Sequence, residues 1–300
     1  MKVTKIHRIL TFDESPWLKM YIDFNTQKRS KAANSFEKDF FKLMNNSVFG
    51  KTMENLRKRI NIKLTHDEKV LKKYIAKPSF VSAVMFNENL FGINRIKECL
   101  VLNRPTYVGM CILDLSKYLM YDFHYNYILK KYGPGGVTPN KGARLLFTDT
   151  DSLCYEIYTE DAYKDFYEDK DLFDNSDYSP NSEFYFDNNK KVIGKFKDEA
   201  AGVPIIEFVG LRSKMYSYLL QNDKTVKKCK GIKKSVVKKQ IIHKNYKDTL
   251  FNKSQSNHTF TAIRSNKHSL SSYVINKTSL SCYEDKRFIL DNGINTLAYS

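Results

Sequence analysis

The cysteines of this chain build no framework. Cys99, Cys111, Cys154, Cys229 and Cys282 are odd in number, widely spaced and without a C-x-x-C pair. That pattern excludes a disulfide scaffold and a cysteine-based structural zinc site, and it fits a reducing compartment. Long apolar runs are also missing. No stretch approaches the roughly eighteen residues a membrane helix needs, and Met1 to Leu10 has no signal-peptide core. No internal repeat is visible, which argues against a solenoid. The expectation is a soluble intracellular protein with no membrane partner.

What is present is apolar enough to fold and strongly basic. Hydrophobic residues make up 42% and aromatics 14% of 300 residues, enough for one large domain or two ordinary ones. The formal net charge is +17, which attracts polyanions, nucleic acid above all. The charge is segregated: Glu156 to Asp187 carries eleven acids against Lys164 and Lys170, whereas Lys224 to Lys247 carries ten lysines and no acid. Ile232, Val236, Val237, Ile241 and Ile242 punctuate the lysines at spacings that suit one face of a packed helix. This segment reads as a folded basic surface. It lacks the Trp and Leu of an interfacial membrane helix.

The periodicity predicts a helix over Asn34 to Lys51, with Phe36, Phe40, Leu43 and Met44 as its stripe and Asn34 or Ser35 as its cap. A second runs from about Pro105 to Lys131, striped by Val108, Ile112, Leu115 and Leu119 and stopped by Gly133 to Gly136. Arg144 to Thr148 and Leu153 to Tyr158 flank a four-residue polar turn and read as a β-hairpin. Further strands are expected at Val192 to Phe196, Ile205 to Val209 and Lys214 to Leu220. The order implies an α+β protein rather than a doubly wound sheet.

The hairpin turn reads Asp149-Thr150-Asp151-Ser152. Two carboxylates so close repel each other and are costly to desolvate unless a cation lies between them. Hard divalent ions take oxygen ligands, and Mg²⁺ characteristically uses one or two carboxylates plus substrate phosphates. The chemistry that needs this is phosphoryl transfer. An ordinary polar turn is the plainer alternative, since Asp is common in turns. A calcium loop of the EF-hand kind is excluded because its Gly and distal Glu are absent.

Upstream, Lys42, Asn46, Phe49 and Gly50 fall at steps of three and four on one helix, with Lys38 a turn earlier. A lysine there offers a point charge to a triphosphate, an aromatic supports a base, and glycine admits close approach. The alternative is a surface helix whose Gly50 is only a C-terminal cap.

The series Lys42-x-x-x-Asn46-Ser47-x-Phe49-Gly50, then Asp149-Thr-Asp151-Ser152, then Lys214-Met-Tyr216 resembles motif B, motif C and the K-x-Y motif of family B DNA polymerases. The strings from Phe40 to Asn55 and from Gly210 to Tyr218 are similar to the viral and transposon-borne, protein-primed branch typified by Polinton/Maverick elements. The resemblance covers about Thr4 to Ser300. It implies fingers helices, a partial antiparallel palm sheet and a basic thumb, divided as 1–65 (fingers and start of palm), 66–223 (palm) and 224–300 (thumb-like). Carried over residue by residue, it implies that Lys42 and Lys38 hold the incoming phosphates and that Asn46, Phe49 and Gly50 lie against the nascent base pair. Asp151, with Asp149 close by, ligates metal. Lys214 and Tyr216 steady the primer terminus, and Lys228, Lys230 and Lys233 grip duplex phosphates. Two Mg²⁺ ions, deoxynucleoside triphosphates, a DNA primer–template and a terminal priming protein are the implied cofactors and partners. The implied location is the nucleus or a viral replication site.

Two departures matter. Phe49 replaces the usual Tyr and loses one hydroxyl. More seriously, the third carboxylate, from a D-x-x-S-L-Y-P motif before motif B, is missing, as are the acidic motifs of a proofreading exonuclease. Asp114, in Leu113-Asp114-Leu115-Ser116, follows motif B inside a helical stretch and does not replace it. This chain alone is therefore expected to polymerise poorly or not at all, as a truncated, degenerate or split enzyme would. The alternative from another class is a non-catalytic DNA-binding remnant. A reverse transcriptase is disfavoured, since such enzymes carry two adjacent aspartates.

Overall fold

The computed structural model describes residues 3–135, 141–266, 269–283, 287–291 and 296–298. The chain divides into two compact units, Met1–Asp114 and Leu115–Ser300. Both mix helices with antiparallel strands, so the expected α+β class holds at that level. Among the described residues no helix is long and apolar enough to cross a membrane.

In the first unit, α1 (Lys19–Ser30) pairs with α2 (Ser35–Thr52). Asn34 caps α2 by accepting from the Glu37 amide at 2.9 Å, and the Glu37 carboxylate accepts from the Ala33 amide at 3.1 Å. These two bonds satisfy orphan donors at the helix start. The helix forms where its periodicity predicts, but of the predicted stripe only Met44 packs. Phe36, Phe40 and Leu43 are exposed, while Phe41, Met44, Asn45, Val48 and Thr52 are covered. Apolar residues occupy more than one face of α2, and a polar contact selects among them: buried Asn25 donates to the Asn45 side chain at 2.9 Å.

The remainder of this unit is a small module of β1 (Asn61–Thr65), α3 (Glu68–Ile75), β2 (Phe80–Asn87) and β3 (Leu90–Arg95), with sheet order β1-β3-β2. Asp67 caps α3 through the Lys69 amide at 2.7 Å. Ile93, on the central strand, is fully buried. Glu54 gathers Lys51, Arg59 and Arg104 around one carboxylate, which those cations, Arg59 foremost, hold far below the usual range.

The second long helix is α4 (Thr106–Asp122), continued by a π-helical turn (Phe123–Ile128) and α5 (Leu129–Tyr132). Gly133, at φ +78°, ends it as expected; Gly136, also expected in the stop, lies outside the described residues. Here the expected stripe packs only in part: Val108 is half-buried, Ile112, Leu115 and Leu119 are exposed, and the buried apolar side chains are Met120, Phe123 and Ile128 toward the far end.

β4 (Gly142–Thr148) and β5 (Leu153–Tyr158) form the predicted hairpin, with Thr148 opposite Leu153. After the short α6 (Ala162–Glu168), the acidic segment folds without the strand expected at Val192 to Phe196. Phe196 makes one isolated bridge to Phe173 and stacks on Phe123 at 3.8 Å. Positive φ at Lys191 and Gly194 interrupts extension. Asp174 accepts from the Lys191 amide, and the Asn189 side-chain amide donates to the carbonyls of Lys170 and Phe173, so side chains satisfy backbone that a ladder otherwise would.

β6 (Ile205–Arg212), β7 (Met215–Leu220) and β8 (Thr225–Cys229) make a meander packed on α7 (Lys234–Lys239) and α8 (His243–Phe251). The basic block is thus a strand and two helices, not one helical face. Gly231, at φ +92°, breaks it. Ile232, Val236, Val237 and Ile241 are buried as predicted, but Ile242 begins α8 and is exposed. A long hairpin of β9 (Gln255–Asn266) and β10 (Ser269–Ser281) follows, then the short pair β11 (Arg287–Ile289) and β12 (Thr296–Ala298).

Candidate functional site

The Asp149–Ser152 turn is closed by its own backbone. The Asp149 amide donates to the Ser152 carbonyl at 3.0 Å, and the Ser152 and Asp151 amides donate back to the Asp149 carbonyl at 3.2 and 2.7 Å. Thr150 takes φ +60° to make the reversal, a strained conformation for a β-branched residue. The result holds Asp149 half-buried and Asp151 exposed at the same tip.

A second hairpin tip meets the first. Between β6 and β7 the chain reverses at Ser213 and Lys214, with Lys214 at φ +59°. Its ammonium reaches Asp149 Oδ1 at 2.8 Å. The hydrogen bond from Lys214 holds the Asp149 carboxyl below the ordinary range, with weaker help from Thr150 and the Lys228 charge. Beneath this pair Tyr216 stacks on Phe147 at 4.3 Å, and Phe147 stacks on Phe208 at 5.8 Å. Burial raises the Tyr216 phenol, and the Asp149 and Glu199 charges add to that.

Among the residues singled out in sequence, the fold therefore brings together Asp149, Asp151, Lys214 and Tyr216. Lys228 stands opposite Tyr216 across β7 and β8, and the Lys230 amide donates to the Lys214 carbonyl at 3.1 Å. Lys233 does something else: its ammonium donates to the Thr261 carbonyl on β9 at 3.1 Å. Phe147 and Phe208 went unnoticed in the sequence. Each sits in an apolar strand run, after Leu146 and before Val209 respectively, with nothing local to mark it.

Lys38, Lys42, Asn46, Phe49 and Gly50 belong to α2 in the other unit. Lys38, Lys42 and Asn46, four residues apart, are exposed in line, and Phe49 is half-buried. Gly50 is not the helix cap: α2 continues to Thr52. A Cβ at Gly50 would meet nothing within 4 Å, so packing within the chain does not require glycine there.

No family model, curated protein or solved structure matches this chain. Its chemistry is read from the site alone. Asp151 is an exposed carboxylate with no side-chain partner among the described residues, so it suits a hard cation. Asp149 spends Oδ1 on Lys214, which neutralises its charge and leaves Oδ2 as the oxygen it could offer. Among the described residues no group of three or more His, Cys, Asp or Glu side chains is arranged to hold a metal ion. One free and one neutralised carboxylate fit Mg²⁺ only in combination with a ligand that brings its own oxygens, such as a triphosphate.

Proposed function

We propose that the chain provides fingers, partial palm and thumb elements of a template-directed DNA polymerase of family B type. The supporting observation is the pairing of Asp149 with Lys214 at 2.8 Å, which joins two motifs far apart in sequence at one spot. In this reading Lys42, aided by Lys38, binds the triphosphate of an incoming deoxynucleotide, and Asn46 and Phe49 lie against its base. Asp151 would hold Mg²⁺, with Asp149 in support. Bound there, Mg²⁺ would neutralise phosphate charge and lower the pKa of the primer hydroxyl. Lys214 and Tyr216 position the primer terminus, whose 3′-oxygen attacks the α-phosphate while pyrophosphate leaves. Lys228 and Lys230 contact duplex phosphates independently of sequence.

The test is deoxynucleotide binding in the presence of Mg²⁺. Lys42→Gln and Asp151→Asn should each weaken it by about tenfold or more, and together by less than the product, because groups serving one ligand are not additive. Binding indifferent to Asp151→Asn, with or without Mg²⁺, would sink the assignment. Primer extension by this chain alone should be weak, since positioning by too few carboxylates starves phosphoryl transfer.

A second reading, a DNA-binding protein without catalysis, is favoured by a specific observation: the one carboxylate that the site half-buries is already neutralised by Lys214. DNA affinity that falls steeply with salt but ignores both Mg²⁺ and Asp151→Asn would select it.

A further inference from the structure

Away from the paired hairpin tips, the first unit contains an open cavity of about 540 Å³ where α3 ends and β2 and β3 begin and finish. Such a volume lies within the range of small-molecule sites. Its lining is Lys77, Pro78, Ser79, Ile96 and Glu98.

The backbone there is already committed. Pro78 has no N–H, and the Ile96 amide donates to the Ser79 carbonyl at 2.8 Å. What remains uncommitted are side-chain donors. Ser79 is only 8% exposed, and its hydroxyl has no hydrogen-bond partner, whereas buried hydroxyls are nearly always bonded. Arg95, facing Phe80 across the sheet, likewise keeps a buried Nε without a partner. Its guanidinium lies 4.6 Å from the Tyr74 ring centre, and the Lys77 ammonium lies 5.2 Å from the same ring. Among the described residues Lys77 has no carboxylate partner. Lys73 and Lys97 add positive charge nearby in the chain, whereas Lys72 is paired with Glu68 at 2.9 Å.

Donors without acceptors call for a ligand rich in acceptors. We propose that this cavity binds a phosphoryl oxyanion, held by the Lys77 ammonium and the Ser79 hydroxyl, with the ligand's apolar part against Pro78 and Ile96. Glu98 accepts but does not donate, so it opposes the anion and limits how much negative charge the cavity accepts. The phosphoryl group belongs either to a free mononucleotide or to a nucleic-acid strand. Neither source depends on the polymerase reading.

The experiment is calorimetric titration of the whole chain with inorganic phosphate, deoxyadenosine monophosphate, and a short oligodeoxynucleotide with and without a 5′-phosphate. Lys77→Gln and Ser79→Ala should each weaken binding about tenfold, and Glu98→Gln should tighten it several-fold, as expected for charge-assisted bonds. Ser79→Ala removes an unsatisfied buried hydroxyl, so its melting temperature should not fall, which separates lost binding from lost folding. Variant-sensitive binding of the mononucleotide identifies a free-ligand site, and sensitivity confined to the oligonucleotide identifies strand phosphate. Identical titrations for parent and all three variants, with every probe, overturn the proposal.

Discussion

Lys214 and Asp149 join the tips of two separate hairpins through one 2.8 Å contact, and Lys214 adopts φ +59° to do so. The contact lowers the Asp149 carboxyl below its ordinary value, near 3.9 for a free aspartate. A carboxyl lowered by folding adds stability above its unfolded pKa and loses it as pH falls through the folded one. Lys214→Met should therefore return Asp149 toward the ordinary range and flatten the acid side of the stability profile. Carbon-detected NMR titration of the Asp149 carboxyl reads the first effect, and urea unfolding between pH 7 and pH 3 reads the second. The pair is partly exposed, so added salt should weaken both.

The same contact predicts an inverted metal response. Lys214 neutralises the Asp149 carboxylate that would support a cation, so Lys214→Met should tighten Mn²⁺ or Mg²⁺ binding several-fold while Asp151→Asn weakens it, because the two changes act on opposite sides of one charge balance. Mn²⁺ paramagnetic titration distinguishes the outcomes. If Lys214→Met weakened the metal instead, the lysine would be organising the turn rather than competing at it.

The core of the second unit gives a stability test independent of function. Ile241 is fully buried among Val209, Val236, Val237 and Leu280. Ile241→Ala should cost about 2–5 kcal/mol through lost burial and a residual cavity. Tyr246 is equally buried, and its hydroxyl donates to the Lys228 carbonyl at 3.0 Å. Tyr246→Phe keeps the ring and removes the donor, so about 1 kcal/mol is expected. Urea denaturation of both variants checks the ratio.

What could be read from the sequence follows from how local each signal is. The β4–β5 hairpin and the ends of α2 were legible because turn residues and caps act within a few positions. Which face of α2 packs was not, since the Asn25–Asn45 contact that decides it involves two helices. Val192 to Phe196 looked like a strand by composition, but the backbone beside it is satisfied by side chains, with Asp174 reaching Lys191 from seventeen residues away and Asn189 bonding back to Phe173. The lysine-rich block hid a strand and a break at Gly231 because its apolar spacings also fit a single helix. At the site itself, the carboxylate turn stood out, whereas its ion pair with Lys214 did not, because β6 and β7 must form before the lysine can arrive. The β1–β3 module and its cavity carried no motif at all.

The cysteines supply a final test, one that probes burial in both units. Cys154 and Cys229 are buried, and desolvation pushes each thiol up to about 11. Cys229 is further engaged, donating to the Ser279 carbonyl at 3.0 Å. The thiolate is the reactive form, so at pH 8 only on the order of a thousandth of either buried group is available, compared with roughly a quarter for an ordinary thiol near 8.5. Cys99 and Cys111 are exposed and open to reagent. Native chain treated with a disulfide reagent should lose Cys99 and Cys111 first, while Cys154 and Cys229 react only as the second unit unfolds. Peptide mapping of the modified chain by mass spectrometry resolves the order, and early modification of Cys229 in folded protein would contradict the packing of β8 against α7 and α8.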